Sequence, residues 1–321
     1  MSSGAIFCST IIPTIGRPTL ARAVESVLTQ GLSADTLAHN DFEIIVVNDS
    51  GKPLPEMAWQ SSPRVKIIHT NGRERSVARN TGAALARGAY LHFLDDDDWM
   101  LPNALENLRT LARAHPQTAW LYGAAQVVDR SARPLIQLRY NLQGNCFVQK
   151  MAGEWVPLMA SLIKVADFFT AGGFNPLVTN AEDIDLLRRI ALHGDIIGTA
   201  ALVTCIGLGI ENSTTEHGRH TEFSRWAREK ILNEPDAFSR LHTSAHGSGW
   251  YGRLVRIYLT SVLWNLRRKN FATTIGRAGL GLAGAAAAGR YLVTPGFWRA
   301  LCSRYESDTF QRGFADTRGA V

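Results

Sequence analysis

Four consecutive aspartates, Asp95 to Asp98, follow directly on an apolar run that is typical of a buried strand. Neighbouring carboxylates repel one another, so this aspartate tetrad is most easily explained if a cation lies against it. Mg²⁺ and Mn²⁺ are the obvious candidates, because hard cations take oxygen ligands and are often held by one or two carboxylates together with substrate phosphates. The alternative is a solvated acidic turn, since negative charge is also favoured at the start of the helix predicted near Pro102.

The elements that must position these aspartates alternate between strand and helix. Short runs rich in β-branched and aromatic residues predict strands over 5–12, 42–48, 65–69 and 90–94. Apolar residues spaced three and four positions apart predict helices over 18–31, 76–86 and 103–114. This alternation predicts an α/β fold with a doubly wound, mostly parallel, Rossmann-like sheet, whose ligands lie beyond the carboxyl ends of the strands.

Polar residues stand where three of these strands end. Pro13 and Thr14 follow the first strand, Asp49 follows the second, and the tetrad follows the fourth. Asp49 would accept hydrogen bonds from the hydroxyl and ring N–H groups of a nucleoside, although the run Asn48-Asp49-Ser50-Gly51 is also an ordinary turn. No GxGxxG follows the first strand and no Walker A sequence is present, so neither a dinucleotide fold nor a P-loop is supported.

Several motifs occur together in an order that resembles one known family. They are Pro13-Thr14-x-x-Arg17-x-x-Leu20, Val46-Val47-Asn48-Asp49-Ser50-Gly51, Ala78-Arg79-Asn80-x-Gly82, Phe93-Leu94 with the tetrad and Trp99, Gly172-Gly173-Phe174, and Glu182-Asp183. Over roughly residues 5–215 the chain resembles the GT-A fold glycosyltransferases of family 2. The ordered set is far more specific than any one of its motifs.

The resemblance implies a metal-dependent enzyme that uses a nucleoside-diphosphate sugar, with a UDP-sugar favoured. Asp97 would be the main ligand of Mn²⁺ or Mg²⁺, Asp95 would contact both the metal and the ribose, and Asp183 would be the general base. The residues that the resemblance implies around the nucleotide sugar are Pro13, Thr14, Arg17, Asp49, Arg79, Asn80, Asp95 and Asp96.

The acceptor side of the site is less sharply defined. We expect Trp155, Gly173 and Glu182 there, with core packing as the alternative for Trp155 and a turn as the alternative for Gly173. After Asp183 the chain departs from the family pattern and reads Glu-Asn-Ser-Thr-Thr-Glu-His over 211–217. His217 is a candidate third metal ligand in this segment, and a polar surface loop is the alternative.

The chemistry of sugar transfer agrees with these roles. A metal ion stabilises the diphosphate leaving group, and a carboxylate accepts the proton of the acceptor hydroxyl. A base on the face opposite the leaving group inverts the anomeric centre, as in inverting glycoside hydrolysis. We expect the acceptor to be a glycan or a lipid-linked glycan. For Asp183, which precedes a helix predicted over 184–191, a helix-terminal charge is the alternative.

Positive charge is concentrated in the last third of the chain. Residues 219–321 carry 16 Lys and Arg against 7 Asp and Glu, and no acidic residue lies between Asp236 and Glu306. We therefore expect a GT-A catalytic domain over 1–222 and a basic, helical C-terminal region over 223–321. A helix from Arg253 onward would carry one basic stripe opposite a broad apolar face. The stripe is Arg253, Arg256, Thr260 and Arg267, and the apolar face is Val255, Tyr258, Leu259, Val262, Leu263 and Leu266.

Two interpretations of this basic region stay open. Its helices pack on the catalytic domain or on another subunit of a homo-oligomer, or they lie in the interface of an anionic membrane. The apolar stretch over 278–289 is too short for a membrane span, which needs about 20 residues. No recognised binding motif accompanies the charge, so nucleic acid is not an expected partner.

Composition narrows the class of protein further. A hydrophobic fraction of 45% excludes a disordered chain, and four cysteines without a CxxC pair suit a reducing compartment. We expect a cytoplasmic protein, at the inner membrane face if the membrane interpretation holds. A nucleotidyltransferase would need a basic triphosphate-binding loop after the first strand, where Arg17 stands alone. The intact Asp95, Asp97 and Asp183 count against a non-catalytic sugar-nucleotide-binding or membrane-scaffolding protein.

Overall fold

The computed structural model describes residues 6–31, 41–72, 74–207 and 217–303, with only the backbone described over 217–221. In this part of the chain the strands β1 to β10 are Cys8–Thr14, Phe42–Asn48, Val65–His69, Tyr90–Phe93, Trp99–Met100, Trp120–Val128, Pro134–Leu138, Gln143–Gly144, Ser161–Lys164 and Ile196–Gly207. The helices α1 to α11 are Leu20–Leu28, Arg75–Ala84, Ala104–Ala114, Phe147–Ala152, Val165–Thr170, Glu182–His193, His217–Ile231, Ala237–Ser244, Gly247–Arg267, Phe271–Ala288 and Pro295–Cys302. The three helices predicted in the first half correspond to α1, α2 and α3, with ends within three residues of the predicted ones.

The described strands form one sheet, whose main path runs β3-β2-β1-β4-β9-β6-β10-β5. The first four strands of this path are parallel, as the alternation of elements predicted. Beyond β4 the sheet is mixed, because β9 runs antiparallel between β4 and β6, whereas β6 and β10 are parallel. The predicted α/β class with a mostly parallel sheet is confirmed.

The first strand ends two residues later than predicted, at Thr14 instead of Ile12. Pro13 has no amide hydrogen to donate and therefore favours the edge or the end of a strand. Its position is tolerated because β4 pairs with β1 only as far as Ile11, so no residue of β4 lies opposite Pro13. Only β2 continues alongside, and its last residue, Asn48, lies opposite Thr14.

Strand β2 is covered on both faces, as its dense apolar character predicted. Ile44 and Val46 belong to one buried cluster, together with residues of α1. Ile45 and Val47 belong to the other cluster, together with residues of α2. Successive side chains of a strand point to opposite faces, so each face of the sheet has its own apolar core.

The C-terminal helices share the core of the sheet. Leu254, Ile257 and Tyr258 on the inner face of α9 are buried in the same cluster as Phe93 of β4. The predicted boundary between residues 222 and 223 stays a prediction, but the apolar core is continuous across it. In the described residues, no helix is both long and apolar enough to cross a membrane.

The broad apolar face predicted for α9 is only partly buried. Val255 and Tyr258 are buried, whereas Leu259, Leu263 and Leu266 are 46%, 54% and 48% exposed. The apolar sector is wider than the surface that the neighbouring elements cover, so its outer part is left in contact with solvent.

Candidate active site

Three strand ends meet at one edge of the sheet, as expected for neighbouring parallel strands. Thr14 ends β1, Asp49 follows β2, and the aspartate tetrad follows β4. The amide of Asp49 donates to the carbonyl of Thr14 over 2.8 Å, which joins the first two ends. The Thr14 hydroxyl donates to Asp96 over 2.5 Å, which joins the first end to the tetrad.

The tetrad folds as a tight turn, in which the amide of Asp98 donates to the carbonyl of Asp95 over 3.1 Å. Carboxylate oxygens of Asp95, Asp97 and Asp98 lie within 4.8 Å of one another. Asp98 is buried, and it also accepts a hydrogen bond of 3.0 Å from the amide of Gly207 at the end of β10. Two of the three predicted ligands, Asp95 and Asp97, are therefore together, and Asp98 is a further member of the cluster that sequence reasoning missed. Its sequence signal was its place in the tetrad.

Two of these three carboxylates, Asp97 and Asp98, have raised pKa values. Burial and the charge of Asp95 raise the pKa of Asp97 to about 6. Burial, followed by repulsion from Asp95 and Asp97, raises the pKa of Asp98 well above its ordinary value. Hard oxygen ligands that crowd in this way fit a divalent cation such as Mn²⁺ or Mg²⁺. Asp95, Asp97 and Asp98 are the residues that would hold it.

Asp96 makes different contacts from its three neighbours. One of its oxygens accepts the Thr14 hydroxyl, and the other accepts a guanidinium nitrogen of Arg17 over 2.9 Å. The same nitrogen of Arg17 lies 3.4 Å from Asp97. These contacts hold the end of β1 against the tetrad. The contact of Pro13, Thr14, Arg17 and Asp96 with a nucleotide sugar stays a prediction.

Asp49 organises the end of β2. One of its oxygens accepts the Thr70 hydroxyl over 2.6 Å, and the other accepts the amide of Glu74 over 3.0 Å. Glu74 has a φ of 132°, which a residue with a side chain rarely adopts, and it immediately precedes α2. The contact of Asp49 with a nucleoside stays a prediction.

A single arginine joins the tetrad to the helix that carries the predicted base. The guanidinium of Arg79, from α2, donates to Asp95 over 2.6 Å and to Glu182 over 3.0 Å. Burial opposes the charged form of this side chain, but Asp95 and Glu182 outweigh it and raise the pKa of Arg79 above its ordinary value. Arg75, one helical turn earlier, lies 3.5 Å from Glu182. The predicted contact of Arg79 with the nucleotide sugar stays a prediction.

Asp183 lies in the first turn of α6, directly after Glu182. One of its oxygens accepts the amide of Ile184 over 2.7 Å. Asp183 is half-buried, whereas Glu182 is buried, and burial together with the charge of Asp183 raises the pKa of Glu182. Because Arg79 binds both Asp95 and Glu182, the start of α6 lies beside the tetrad.

Asn80 supports the glycine turn that was predicted near the acceptor. Its side-chain amide donates to the carbonyl of Phe174 over 2.8 Å, and its oxygen accepts the amide of Phe174 over 2.9 Å. Gly172 and Gly173 have φ values of 80° and 65°, which glycine adopts without strain. Phe174 is buried and packs edge-on against Phe93. The roles of Asn80 toward the nucleotide sugar and of Gly173 toward the acceptor stay predictions.

Two further predicted residues are not brought to the tetrad by any described contact. Trp155 is half-buried and packs against an apolar cluster of the sheet, so its acceptor contact stays a prediction. His217 begins α7, but its side chain lies outside the described residues. Its role as a third metal ligand therefore also stays a prediction.

Sequence reasoning also missed two basic residues near the site. Arg22 of α1 stacks 3.7 Å above the ring of Trp99 and donates to the carbonyl of Asp97 over 3.2 Å. Lys150 of α4 is buried with its ammonium 4.7 Å from the ring centre of Trp120, and burial lowers the pKa of Lys150 to about 7. Arg22 lies two residues after Leu20, the last residue of the first motif, and this proximity was a usable signal. The local sequence of Lys150 offered none.

Residues 9–148 match the family model described as glycosyl transferase family 2. Over this segment, which is less than half of the chain, the sequence is similar to the glycosyltransferases of family 2. The matched segment contains all three strand ends and the whole tetrad, whereas Asp183 lies beyond it.

Two curated relatives illustrate the extent of the similarity. An uncharacterized glycosyltransferase of Haemophilus influenzae is 26% identical over 189 residues, which are 57% of this chain and 61% of that protein. The poly(ribitol-phosphate) beta-N-acetylglucosaminyltransferase TarP of Staphylococcus aureus is 35% identical over 106 residues, which are 31% of this chain and 31% of that protein. The match to this chain thus spans less than two thirds of the length of either relative.

Solved structures of S. aureus TarS share the fold. TarS 1–349 in complex with UDP-GlcNAc gives a TM-score of 0.59 at 15% identity, over 85% of this chain and 89% of that chain. The complex of the same fragment with UDP gives a TM-score of 0.58 at 16% identity, over 85% of this chain and 89% of that chain. Identities this low show the fold alone. The expected GT-A fold is confirmed, and the covered share is larger than residues 1–222, so the likeness continues into the C-terminal helices.

Proposed function

We propose that this protein is a metal-dependent glycosyltransferase that moves a sugar from a UDP-sugar to a hydroxyl of a glycan or lipid-linked glycan, with inversion at the anomeric carbon. One observation carries the proposal. Arg79 binds Asp95 and Glu182 at once, so the cluster of Asp95, Asp97 and Asp98 lies beside the helix start that bears Asp183. The cluster suits a cation and a diphosphate, and the helix start offers a base.

The donor side is supported by the carboxylate cluster and by the fold. TarS, whose fold this chain shares, is described in complex with UDP-GlcNAc and with UDP, which favours a UDP-sugar as the donor here. Mn²⁺ or Mg²⁺ bound by Asp95, Asp97 and Asp98 would neutralise the charge of the diphosphate leaving group. Asp49 and the end of β1 would receive the nucleoside at the same sheet edge.

The acceptor side depends on Asp183. The acceptor oxygen forms a bond to the anomeric carbon while the bond from that carbon to the diphosphate oxygen breaks, and the electron pair leaves with the diphosphate. Asp183 accepts the proton that the acceptor hydroxyl loses. Asp183 and the carboxylate cluster lie on either side of Arg79. This arrangement suits attack on the face of the anomeric carbon opposite the leaving diphosphate, which would invert that carbon.

Attachment to the inner face of a membrane is part of the proposal. It is supported by the excess of 16 Lys and Arg over 7 Asp and Glu in residues 219–321, because an anionic lipid surface attracts such a region. A lipid-linked acceptor would be found at that surface.

Release of UDP from a panel of UDP-sugars, measured with Mn²⁺, with Mg²⁺ and with EDTA, tests the proposed function. Release that requires the metal and exceeds that of Asp183→Asn is the expected result. Binding of UDP-sugars without any turnover would instead indicate a non-catalytic sugar-nucleotide-binding protein. Formation of a UDP-sugar from UTP and a sugar 1-phosphate would indicate a nucleotidyltransferase.

A further inference from the structure

A groove rich in arginine lies between the C-terminal helices, separate from the tetrad. Its volume is about 640 Å³, and it is bordered mainly by α7 and α9. The basic stripe predicted along α9 forms one wall. Five arginines, two from α7 and three from α9, line this arginine groove: Arg225, Arg228, Arg253, Arg256 and Arg267.

The lining of the arginine groove is strongly positive. Among the described residues, no carboxylate lines the groove. Arg225 and Arg267 are exposed and form no ion pair within the described part of the chain. Arg256 donates to the carbonyl oxygen of Leu301 at the end of α11 over 2.7 Å, and this partner is neutral.

Arg228 has both an unsatisfied hydrogen-bond donor and repulsive neighbours. Its Nη2 donates to the Thr260 hydroxyl over 3.1 Å, but its buried Nε has no hydrogen-bond partner. Burial lowers the pKa of Arg228, the charge of Glu229 opposes that shift, and repulsion from Arg225 and Arg256 adds to it. An anion in the arginine groove would compensate this charge.

Exposed leucines border the same groove. Leu263 lines it, and Leu259 and Leu266 lie about one helical turn before and after Leu263. We call these three residues the leucine ridge, and they are between 46% and 54% exposed. The next helix begins with Phe271, which is 61% exposed. Large apolar side chains flanked by arginines are typical of helices that enter the head-group region of a bilayer.

We propose that the arginine groove binds the phosphate groups of anionic lipid head groups while the leucine ridge inserts into the membrane interface. This inference rests on the membrane location within the proposed function, and on neither the donor nor the base. A second copy of the chain is a poorer occupant, because two such faces would bring two sets of arginines together without carboxylates to pair with them. A bilayer offers both the negative charge and the apolar medium.

The arginine groove is connected to the helix that carries the predicted base. Arg188 of α6 donates to the carbonyl of Ser224 in α7 over 3.0 Å, directly before Arg225. Arg188 follows Asp183 by five residues, which is about 7.5 Å along the helix axis. A membrane that binds at the groove would therefore approach on the side of α6 and α7, where a lipid-linked acceptor is needed.

Vesicle flotation of the full-length protein tests the inference. The wild type should float with phosphatidylcholine vesicles that contain phosphatidylglycerol, and not with phosphatidylcholine alone. Each arginine near an anionic surface is worth about fivefold in partition, so R225Q/R267Q should bind about 30-fold more weakly. The matched control K66Q/R113Q removes two exposed charges outside the groove and should bind like the wild type.

The leucine ridge is tested by high salt. At about 1 M salt the screening length falls to about 3 Å, so the attraction of the arginines is largely removed. Binding that survives this treatment should be reduced in L259Q/L263Q. Residual binding that is the same in this variant and in the wild type would contradict insertion of the ridge.

Four outcomes would overturn the inference about the groove. Two are flotation of the wild type with neither vesicle, and equal flotation of R225Q/R267Q and the wild type. The third is binding of inorganic pyrophosphate without flotation, which would indicate a soluble phosphate ligand. The fourth is a dimeric mass by light scattering that R225Q/R267Q converts to the monomer, which would indicate a second copy.

Failure of the membrane inference can be distinguished from failure of the proposed transfer reaction. Binding of UDP with Mn²⁺, measured on the same preparations, should be the same in R225Q/R267Q and the wild type. Normal flotation without UDP release would refute the proposed transfer reaction and leave the membrane site standing. Normal UDP release without flotation would refute the membrane site alone.

Discussion

Arg79 and Glu182 form an ion pair of 3.0 Å in which both side chains are almost fully buried. Another terminal nitrogen of Arg79 binds Asp95 over 2.6 Å. The carboxylates at the strand end and the first turn of α6 are thus held by one side chain. A guanidinium suits this position, because its planar fork offers several donors in a fixed geometry. We infer that Arg79 sets the separation between the carboxylate cluster and Asp183.

Replacing Arg79 by methionine should destabilise the protein by about 3–5 kcal/mol, because Asp95 would lose this partner and buried Glu182 would keep only the longer contact with Arg75. Urea unfolding measures the loss. E182Q removes one of these negative charges, so the double variant R79M/E182Q should recover part of the stability. Simple addition of the two single losses would contradict direct coupling between the two side chains.

Asp97→Asn should abolish metal-dependent binding of UDP. The Asp97 side chain makes a long contact of 3.4 Å with Arg17, which leaves its carboxylate accessible to a cation. Loss of a residue that merely orients a ligand costs about 10–100-fold in metal affinity, and loss of the ligand itself should cost more. Calorimetry of UDP with Mn²⁺ is the measurement, with Asp129→Asn as a control on an outlying turn. Equal affinity in D97N, together with no effect of EDTA on the wild type, would remove the metal from the mechanism.

Asp183→Asn should leave the affinity for UDP nearly unchanged and lower kcat by about 10²-fold or more, as expected for a general base. Asp167→Asn is a matched control, since Asp167 also lies in the first turn of a helix, α5. Steady-state transfer assays and the anomeric configuration of the product by NMR are the measurements. Full transfer activity in D183N would refute the assignment of the base. A retained configuration would refute inversion even if D183N were inactive.

His92 should make the stability depend on pH. It is fully buried in β4, with its ring nitrogens 3.2 Å from the Thr10 hydroxyl and 2.9 Å from the carbonyl of Met159. Burial lowers the pKa of His92 from its ordinary value of 6.5 to about 4. The unfolded chain therefore takes up this proton at a higher pH than the native state does. The stability that neutral His92 contributes is fully present above the pKa of this residue in the unfolded chain. It is lost as the pH falls toward about 4.

Between pH 6.5 and pH 4 the free energy of unfolding should fall by about 3 kcal/mol through His92. Urea unfolding of the wild type and of His92→Gln at pH 7 and pH 4.5 measures it. The variant should lose less stability than the wild type over this interval. His193→Gln, at an exposed position, is the control. An unchanged pH dependence in H92Q would show that His92 is protonated in the native state as readily as in the unfolded one.

Local sequence patterns predicted the strand ends but not the side-chain contacts between them. Strand β2 was predictable because apolar density is a property of its own seven residues. Arg79 and Glu182 are separated by 103 residues, and no local pattern fixes which buried carboxylate a guanidinium meets. Asn80 likewise binds Phe174 at a separation of 94 residues. These pairs depend on how loops and helices pack over the sheet.

In the C-terminal region, local sequence patterns predicted a helix but not which of its side chains are buried. The amphipathic pattern predicted the helix and its basic stripe, and both are present in α9. It did not predict that Tyr258 would be buried and Leu263 exposed, because both belong to one apolar sector of the sequence. Which part of that sector is covered depends on the position of α10 and α11.

Leu254→Ala should cost about 2–5 kcal/mol of stability, because Leu254 is fully buried where α9 crosses α10. The two helices approach so closely that no space remains for a Cβ at Gly284 beside Leu254. Leu263→Ala on the same helix is the matched control, since Leu263 is 54% exposed and should change stability by no more than about 0.5 kcal/mol. Urea unfolding of both variants is the measurement.

The difference between these two leucines also tests the boundary predicted between residues 222 and 223. A large loss in L254A within a single unfolding transition would mean that the basic helices and the sheet unfold together, as the shared apolar cluster predicts. Two separate transitions, of which only the weaker responds to L254A, would mean that residues 223–321 form an independent unit. In that case the position of α9 could change on membrane binding without any effect on the sheet edge that carries the tetrad.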